Sequence, residues 1–467
     1  MDDRAHETVH KTLIHGIRHQ RSALSRRSLL KASSAAAIAA IAASFSPREV
    51  NAEISGEVVH LTATGKRFDG VARALKPLFE KAYPNVALNI VTVPASEMLP
   101  KINVAMQSKS DAFDSITQDY GQYPTLESMG AMVPLQPYMD ADPDWFADYR
   151  DDVPVALQNL YRIPLATDTG TLFGLCHDAN CQMTFYRKDI FDKAGLSVPR
   201  NWNDAIETAK ELHSPNTEQY GYVGAMQRSF WAGYQFFGIL RSFGGHLVDR
   251  QEPGYWNATV ESEEGYLALK ALVDIQKYAH PVTSNAAEDD CNNAFGNGSA
   301  VYGPLTWGTA TLNDCSFTEY CDVFNADLPP KGDNATGAHR VSTGGFGAFV
   351  STYSTNKEAG IAFAKFLASG DSVDPAIGEA IVAAGGQPGR ISILDRHKDK
   401  KLFFEGLMAS MPYGITNALM IPEGFPISSQ NGIEVADAVN GEQSIEEALK
   451  RMQAGITQVL GDAGYYS

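Results

Sequence analysis

The chain is short of cysteine, short of positive charge and, beyond its N-terminal stretch, lacks any long apolar run. Five cysteines in 467 residues cannot build a disulfide scaffold, and their odd number leaves at least one thiol unpaired unless chains cross-link. No Cys-x-x-Cys occurs, and no histidine stands at ligand spacing beside these cysteines, which argues against a structural metal. Lys+Arg number 38 against 55 Asp+Glu, a net charge of −17. Such a surface repels nucleic acid and anionic lipid, so neither is expected as a partner. After residue 52 no segment approaches the roughly 20 apolar residues that a membrane-spanning helix needs. Catalytic signatures are also missing. There is no Gly-x-Ser-x-Gly, no His-Glu-x-x-His and no phosphate-binding glycine loop, and Gly344-Gly345-Phe346-Gly347 lacks dinucleotide spacing. No cofactor and no enzymatic activity are therefore expected. Hydrophobic content of 44% with 20% charged residues is ordinary for a globular protein and excludes disorder.

What is present begins at the N-terminus. Ser25-Arg26-Arg27-Ser28-Leu29-Leu30-Lys31 resembles a bacterial twin-arginine export signal. A weakly apolar run from Ala32 to Phe45 follows, then Pro47 and Val50-Asn51-Ala52, where small or apolar residues suit signal peptidase. Residues 1–52 are read as a signal peptide, with a mature chain starting near Glu53 and working in the periplasm. Without residues 1–52 the chain carries 30 Lys+Arg against 51 Asp+Glu, so the exported part is more acidic still.

Beyond that point short β patterns alternate with amphipathic helices. Strands are expected at 57–63, 86–93 and 113–117, with helices at 71–83 and 98–108 between them. Strands and helices of these lengths imply parallel βαβ units. The pattern recurs with strands at 183–186, from 221, at 300–302 and at 346–350. Helices are expected at 188–194, 202–212 with Asn201 as cap, 263–278, 357–367 and 444–460. Lys331 to His339 is the one polar-rich break. Two α/β lobes fit the length better than three domains.

Thr184-Phe185-Tyr186-Arg187-Lys188-Asp189-Ile190-Phe191-Asp192-Lys193-Ala194-Gly195-Leu196-Ser197-Val198-Pro199, with Trp202 close behind, resembles a characteristic segment of the extracellular solute-binding proteins that serve ABC sugar importers, the maltose-binding-protein-like family. Phe79-Glu80-Lys81, Phe295-Gly296-Asn297-Gly298-Ser299-Ala300, Leu328-Pro329, Lys357-Glu358-Ala359 and Ser444 to Leu449 match other family segments in the expected order. The resemblance implies a class II periplasmic-binding-protein fold, in which two α/β lobes joined by crossing segments close on a ligand. It places lobe one at 53–177 plus 346–388 and lobe two at 178–345 plus 389–467. It implies a monomeric receptor that passes a carbohydrate or carbohydrate-like solute to an ABC permease in the inner membrane. The alternatives are a polyol, a sulfonated sugar or a glycerophosphodiester as solute, or a periplasmic oxidoreductase.

Sugars offer hydroxyls and apolar ring faces, so a site needs flat aromatics and fixed polar groups. Trp231, Tyr234 and Trp307 are the aromatic candidates, with core packing as the alternative. Asp119 and Tyr120 follow a strand end, the usual ligand side of a parallel sheet. Arg67 follows the first strand, with a solvated surface charge as the alternative. Asp178 and Asn180 precede the first crossing, where relatives carry an acid. Gly345 would bring backbone near ligand or serve a turn, and Arg390 would bind or brace the hinge. Trp145, Trp202 and Trp256 read as structural. Cys315 and Cys321 could close a small loop by a disulfide. Cys176 and Cys181 could pair only across a turn.

Overall fold

The computed structural model describes residues 54–163, 170–252, 255–307, 310–399, 401–416 and 419–466. The export signal read over 1–52 and the start at Glu53 lie outside them. Among the described residues no helix is long and apolar enough to cross a membrane.

In chain order the elements that position the candidate residues are β1 (Gly56–Ala63), α1 (Val71–Ala82), β2 (Val86–Val93), α2 (Ala95–Gln107), β3 (Ser115–Asp119), α3 (Pro143–Asp152), β4 (Leu175–Arg187), α4 (Trp202–Leu212), α5 (Phe230–Ser242), α6 (Glu263–Ile275), β5 (Tyr302–Trp307), β6 (Phe324–Asp327), β7 (Val341–Val350), α7 (Lys357–Leu367), β8 (Gly414–Thr416), α8 (Gly424–Val439) and α9 (Ile445–Asp462). They fall into two compact units. The first holds the described residues up to Ala179 and Gly344–Leu394; the second holds Asn180–Thr343 and the described residues from Asp395 on. The chain passes between them three times, within β4, within β7 and within the short helix Ile391–His397.

In the first unit β1 pairs in parallel with β2, from Gly56 opposite Val86 to Ala63 opposite Val93, and with β3 at His60 and Leu61. β7 closes this part antiparallel to β3, with Phe346 opposite Asp119 and Val350 opposite Ser115. The βαβ alternation expected from the sequence is what forms here. α1 buries Val71, Ala72, Leu75 and Phe79, a stripe of one-turn spacing. Phe79 meets Phe363 and Phe366 of α7 edge-on at 5.0 and 5.4 Å.

The second unit departs from a simple recurrence of parallel units. Around the latter half of β4, both β5 and β6 run antiparallel, with Gln182 opposite Trp307 and Thr184 opposite Asp327. The strand expected from Gly221 is reduced to isolated bridges at Tyr220 and Tyr222. Helix starts follow capping chemistry. Side-chain oxygens of Asn201, Ser262 and Ser444 accept from the backbone N–H groups of Asp204, Gly265 and Glu447. The core is carried by α4, α5, α6, α8 and α9, and includes Trp202, Phe236, Leu240, Leu269, Val435 and Met452. The polar break at 331–339 is not a boundary: Gly332 and Ala338 N–H both donate to the Ser242 carbonyl.

Cys315 and Cys321 are joined in a disulfide, whereas Cys176, Cys181 and Cys291 are free and buried. Cys176 and Cys181 cannot meet because both lie on the continuous strand β4, with no turn between them.

Candidate functional site

In the first unit the chain leaves β1 at Gly65, whose φ of 142° only glycine adopts readily, and enters the short turn Lys66–Gly70. That turn delivers Arg67 to Asp178 on β4. Arg67 Nε donates to Asp178 Oδ2 at 2.7 Å and Nη2 donates to Oδ1 at 2.5 Å, a bidentate pair. Phe68 and Phe346, edge-on to each other at 4.6 Å, hold the guanidinium at 5.4 and 5.3 Å from their ring centres. The Arg67 side chain is 16% exposed and that of Asp178 is 3% exposed. Burial pushes the Asp178 carboxyl above its ordinary value, and Arg67 opposes that shift. With both carboxylate oxygens accepting from the guanidinium, the geometry favours the ionised pair.

Asp119 ends β3 and keeps partial exposure. One oxygen accepts from the Gly121 N–H at 2.8 Å. Desolvation raises its carboxyl to about 6, against the opposing pull of the Gly121 N–H and Arg67; Asp178 adds to the rise.

Three expected contacts have other work. Tyr120 is 1% exposed, so its ring packs in the core. A Cβ on Gly345, at φ 149°, would sit 2.3 Å from the Asp178 carbonyl oxygen. Its lack of a side chain therefore serves close strand packing. Arg390, its side chain 3% exposed, braces the first unit: it pairs with Asp148 Oδ2 at 2.6 Å and Asp152 at 3.5 Å and donates to the Ala368 carbonyl at 2.9 Å, while its Nη2 is buried without a hydrogen-bond partner among the described residues.

The second unit gathers aromatics. Tyr234 and Trp307, nearly buried, pack with Phe230, Trp231 and Phe425, which are partly exposed. Ring centres lie 4.8 Å apart for Phe230–Trp231, 4.9 Å for Phe230–Phe425, 5.4 Å for Phe230–Tyr234 and 6.4 Å for Tyr234–Trp307. Helical spacing puts Phe230 and Tyr234 on one face of α5. Phe425 reaches them because α5 and α8 touch backbone to backbone. A Cβ on Gly233 would lie 2.1 Å from the Ser428 oxygen, and one on Gly432 would lie 1.7 Å from the Ser229 oxygen. Trp307 Nε1 is buried without a hydrogen-bond partner among the described residues. Asn180, 6% exposed, has its side-chain oxygen occupied by the Cys181 N–H at 2.9 Å.

The other tryptophans are structural, as the sequence suggested. Trp202 donates to Ser242 Oγ at 2.9 Å, Trp145 donates to Ser369 Oγ at 3.1 Å, and Trp256 lies edge-on to Tyr465 at 5.3 Å. A groove lined by Val198, Arg200, Glu207 and Glu211 contains none of the candidate residues. Sequence reasoning missed Phe230, Phe425, Phe68 and Phe346. The i, i+4 spacing of Phe230 and Tyr234 was a usable signal for the first; nothing local marks Phe425.

The sequence model of the bacterial extracellular solute-binding proteins matches residues 60–372. The chain belongs to that family. A mannitol-binding protein of Pseudomonas aeruginosa is 24% identical to this solute-binding protein over 410 residues, covering 84% of this chain and 90% of the relative. An ABC transporter solute-binding protein of Agrobacterium radiobacter, solved with ribitol, superposes with a TM-score of 0.75 at 19% identity, covering 87% of this chain and 99% of that one. Maltose-bound MalE3 of T. maritima gives a TM-score of 0.74 at 20% identity, over 86% of this chain and all of that one. At such identities these likenesses establish the two-lobe fold.

Proposed function

We propose that this chain is the substrate-binding component of an ABC importer, capturing a carbohydrate or polyol and passing it unaltered to a membrane permease. The observation that carries this is the family match over residues 60–372, joined to an aromatic cluster in which the buried Trp307 indole N–H has no partner among the described residues. Ring faces and C–H faces of sugars and polyols stack on such a cluster, and hydroxyls satisfy an orphan donor. The mannitol, ribitol and maltose named for the relatives agree with that chemistry. The proposed contacts are Arg67, Asp119, Asp178, Trp231, Tyr234 and Trp307, with the Asn180 amide nitrogen. Arg390, Tyr120 and Gly345 hold the scaffold. Transport requires no turnover, and the reading includes none.

Export by the twin-arginine route, periplasmic residence and a monomeric state belong to the same proposal. Replacing Arg26 and Arg27 with Lys should leave precursor in the cytoplasm; unchanged export would remove that route. The function itself is tested by a thermal-shift screen over hexitols, pentitols, monosaccharides and maltodextrins. Ligand at 100 times its dissociation constant should add about 2.7 kcal/mol of stability. A shift from an unrelated solute class and from no carbohydrate or polyol would overturn the reading.

A further inference from the structure

Resting on the reading above, we infer that this protein takes only uncharged solutes and rejects their anionic counterparts, with Asp119 as the residue that rejects them. Anion capture needs a cation or a set of unpaired donors aimed at the ligand. The candidate group of the first unit has one guanidinium, Arg67, and it is already committed. Both oxygens of Asp178 take its fork, and the rings of Phe68 and Phe346 flank it. Lys66, next in the chain, is exposed and lays its stem against Gly70 and Gly385.

Arg67 balances Asp178, so Asp119, which makes no ion pair among the described residues, adds a carboxylate beside them that no cation touches. It is only partly exposed, and the Gly121 N–H occupies one of its oxygens. A carboxylate in that setting accepts hydrogen bonds from hydroxyls. It repels a phosphate, sulfonate or second carboxylate, and the repulsion is little screened where water is excluded.

Among the described residues the aromatic group of the second unit contains no cation. Trp307 Nε1, buried there without a partner among those residues, is uncharged. Arg228, beside the start of α5, is paired with Asp437 at 2.8 Å. Each group taken alone therefore favours a neutral polyhydroxy compound.

The test uses ligand pairs that differ only by a CH₂OH exchanged for a carboxylate: D-mannitol with D-mannonate, and D-glucose with D-glucuronate. Each is titrated calorimetrically at pH 7.5 into the exported chain, into Asp119→Asn and into Asp119→Ser; the second variant stands in where the first misfolds. The expected result is a preference of roughly 100-fold or more for the neutral member in the unaltered chain. Removing the charge at 119 should shrink that ratio at least tenfold, the anion gaining affinity. Equal or tighter binding of the acids would overturn the inference while leaving carbohydrate capture standing. A neutral preference that survives unchanged in both variants would remove Asp119 from the role. Absence of binding by every carbohydrate and polyol, charged or not, would take down the functional reading and this inference with it.

Discussion

Gly432→Ala is the substitution whose consequence the structure fixes most directly. The added methyl would lie 1.7 Å from the Ser229 carbonyl oxygen, 2.6 Å from its carbon and 2.9 Å from Gly233 N. All three are backbone atoms, so no side chain can swing aside. A tolerable contact of about 3 Å requires α5 and α8 to separate by more than 1 Å. A gap of that size forfeits a quarter to a half of the dispersion energy of every contact across it. Overpacking typically costs 1–3 kcal/mol, and a backbone clash belongs at or above the top of that range. Alanine regains about 1 kcal/mol of helix propensity. The net loss should be about 3 kcal/mol, which for a unit of this size lowers the melting temperature by roughly 6–12 °C. The same movement draws Phe230 and Phe425 apart from their 4.9 Å separation, so solute affinity should fall with stability. Scanning calorimetry and a titration on the same sample read both. Gly461→Ala in α9 is the control, since its methyl would meet only Tyr466 side-chain atoms at 3.5 and 3.7 Å. If Gly432→Ala melts within a degree or two of the unaltered chain and binds normally, the helices are not in backbone contact and the reasoning fails.

Acid should destabilise the first unit through His60 and His177, which share Thr117 Oγ1 at 3.3 and 3.0 Å. Burial holds both near a pKa of about 3, so below 6.5 the unfolded chain takes protons that the folded one refuses. Their contribution is complete above pH 6.5 and is lost on descending toward 3, about 2 kcal/mol per histidine by pH 5. Asp119 offsets part of this, because its raised carboxyl gains a proton in the folded chain first. Urea titrations at pH 7 and 5 check it, and equal stability at both would mean solvated imidazoles. Trp307→Ala should weaken solute binding at least tenfold with the fold retained; wild-type affinity would return this residue to packing alone. Replacing Cys315 and Cys321 with Ser opens a loop of sequence separation 6 and should cost about 2 kcal/mol, whereas a melting curve indifferent to the change would mean the loop is held by other contacts.

Legibility in the sequence tracked how far each feature depends on local pattern. α1 and β2 were readable because each shows one wet and one dry side, and β1, buried along its second half, was readable from its β-branched residues ending at Gly65. α5 was not, because nearly every residue from Ala232 to Ser242 is buried and no polar face marks the helical period. β4 is buried along all 13 residues, so only its 183–186 portion stood out against the flanking chain. Arg67 and Asp178 were each legible as candidates from their place after a strand and before a crossing. That they occupy one another was not, since a pairing across 111 residues leaves no local trace. The burial of Tyr120 and Arg390 was not legible for the converse reason: a polar or aromatic residue at a strand end or hinge looks the same whether it faces solvent or closes a core. The aromatic cluster was half visible, through Trp231, Tyr234 and Trp307. Phe425 entered only through the glycine contacts that let α8 approach α5.

A receptor of the proposed kind captures an intact carbohydrate or polyol reversibly. Calorimetric titration with the best solute from the screen, followed by heat release and mass analysis of the bound compound, tests it most directly. Saturable binding of one solute per chain is expected, with loss of that binding in Trp307→Ala and recovery of the solute with its mass unchanged. Failure of every carbohydrate and polyol to bind, or recovery of a chemically altered compound, would contradict it.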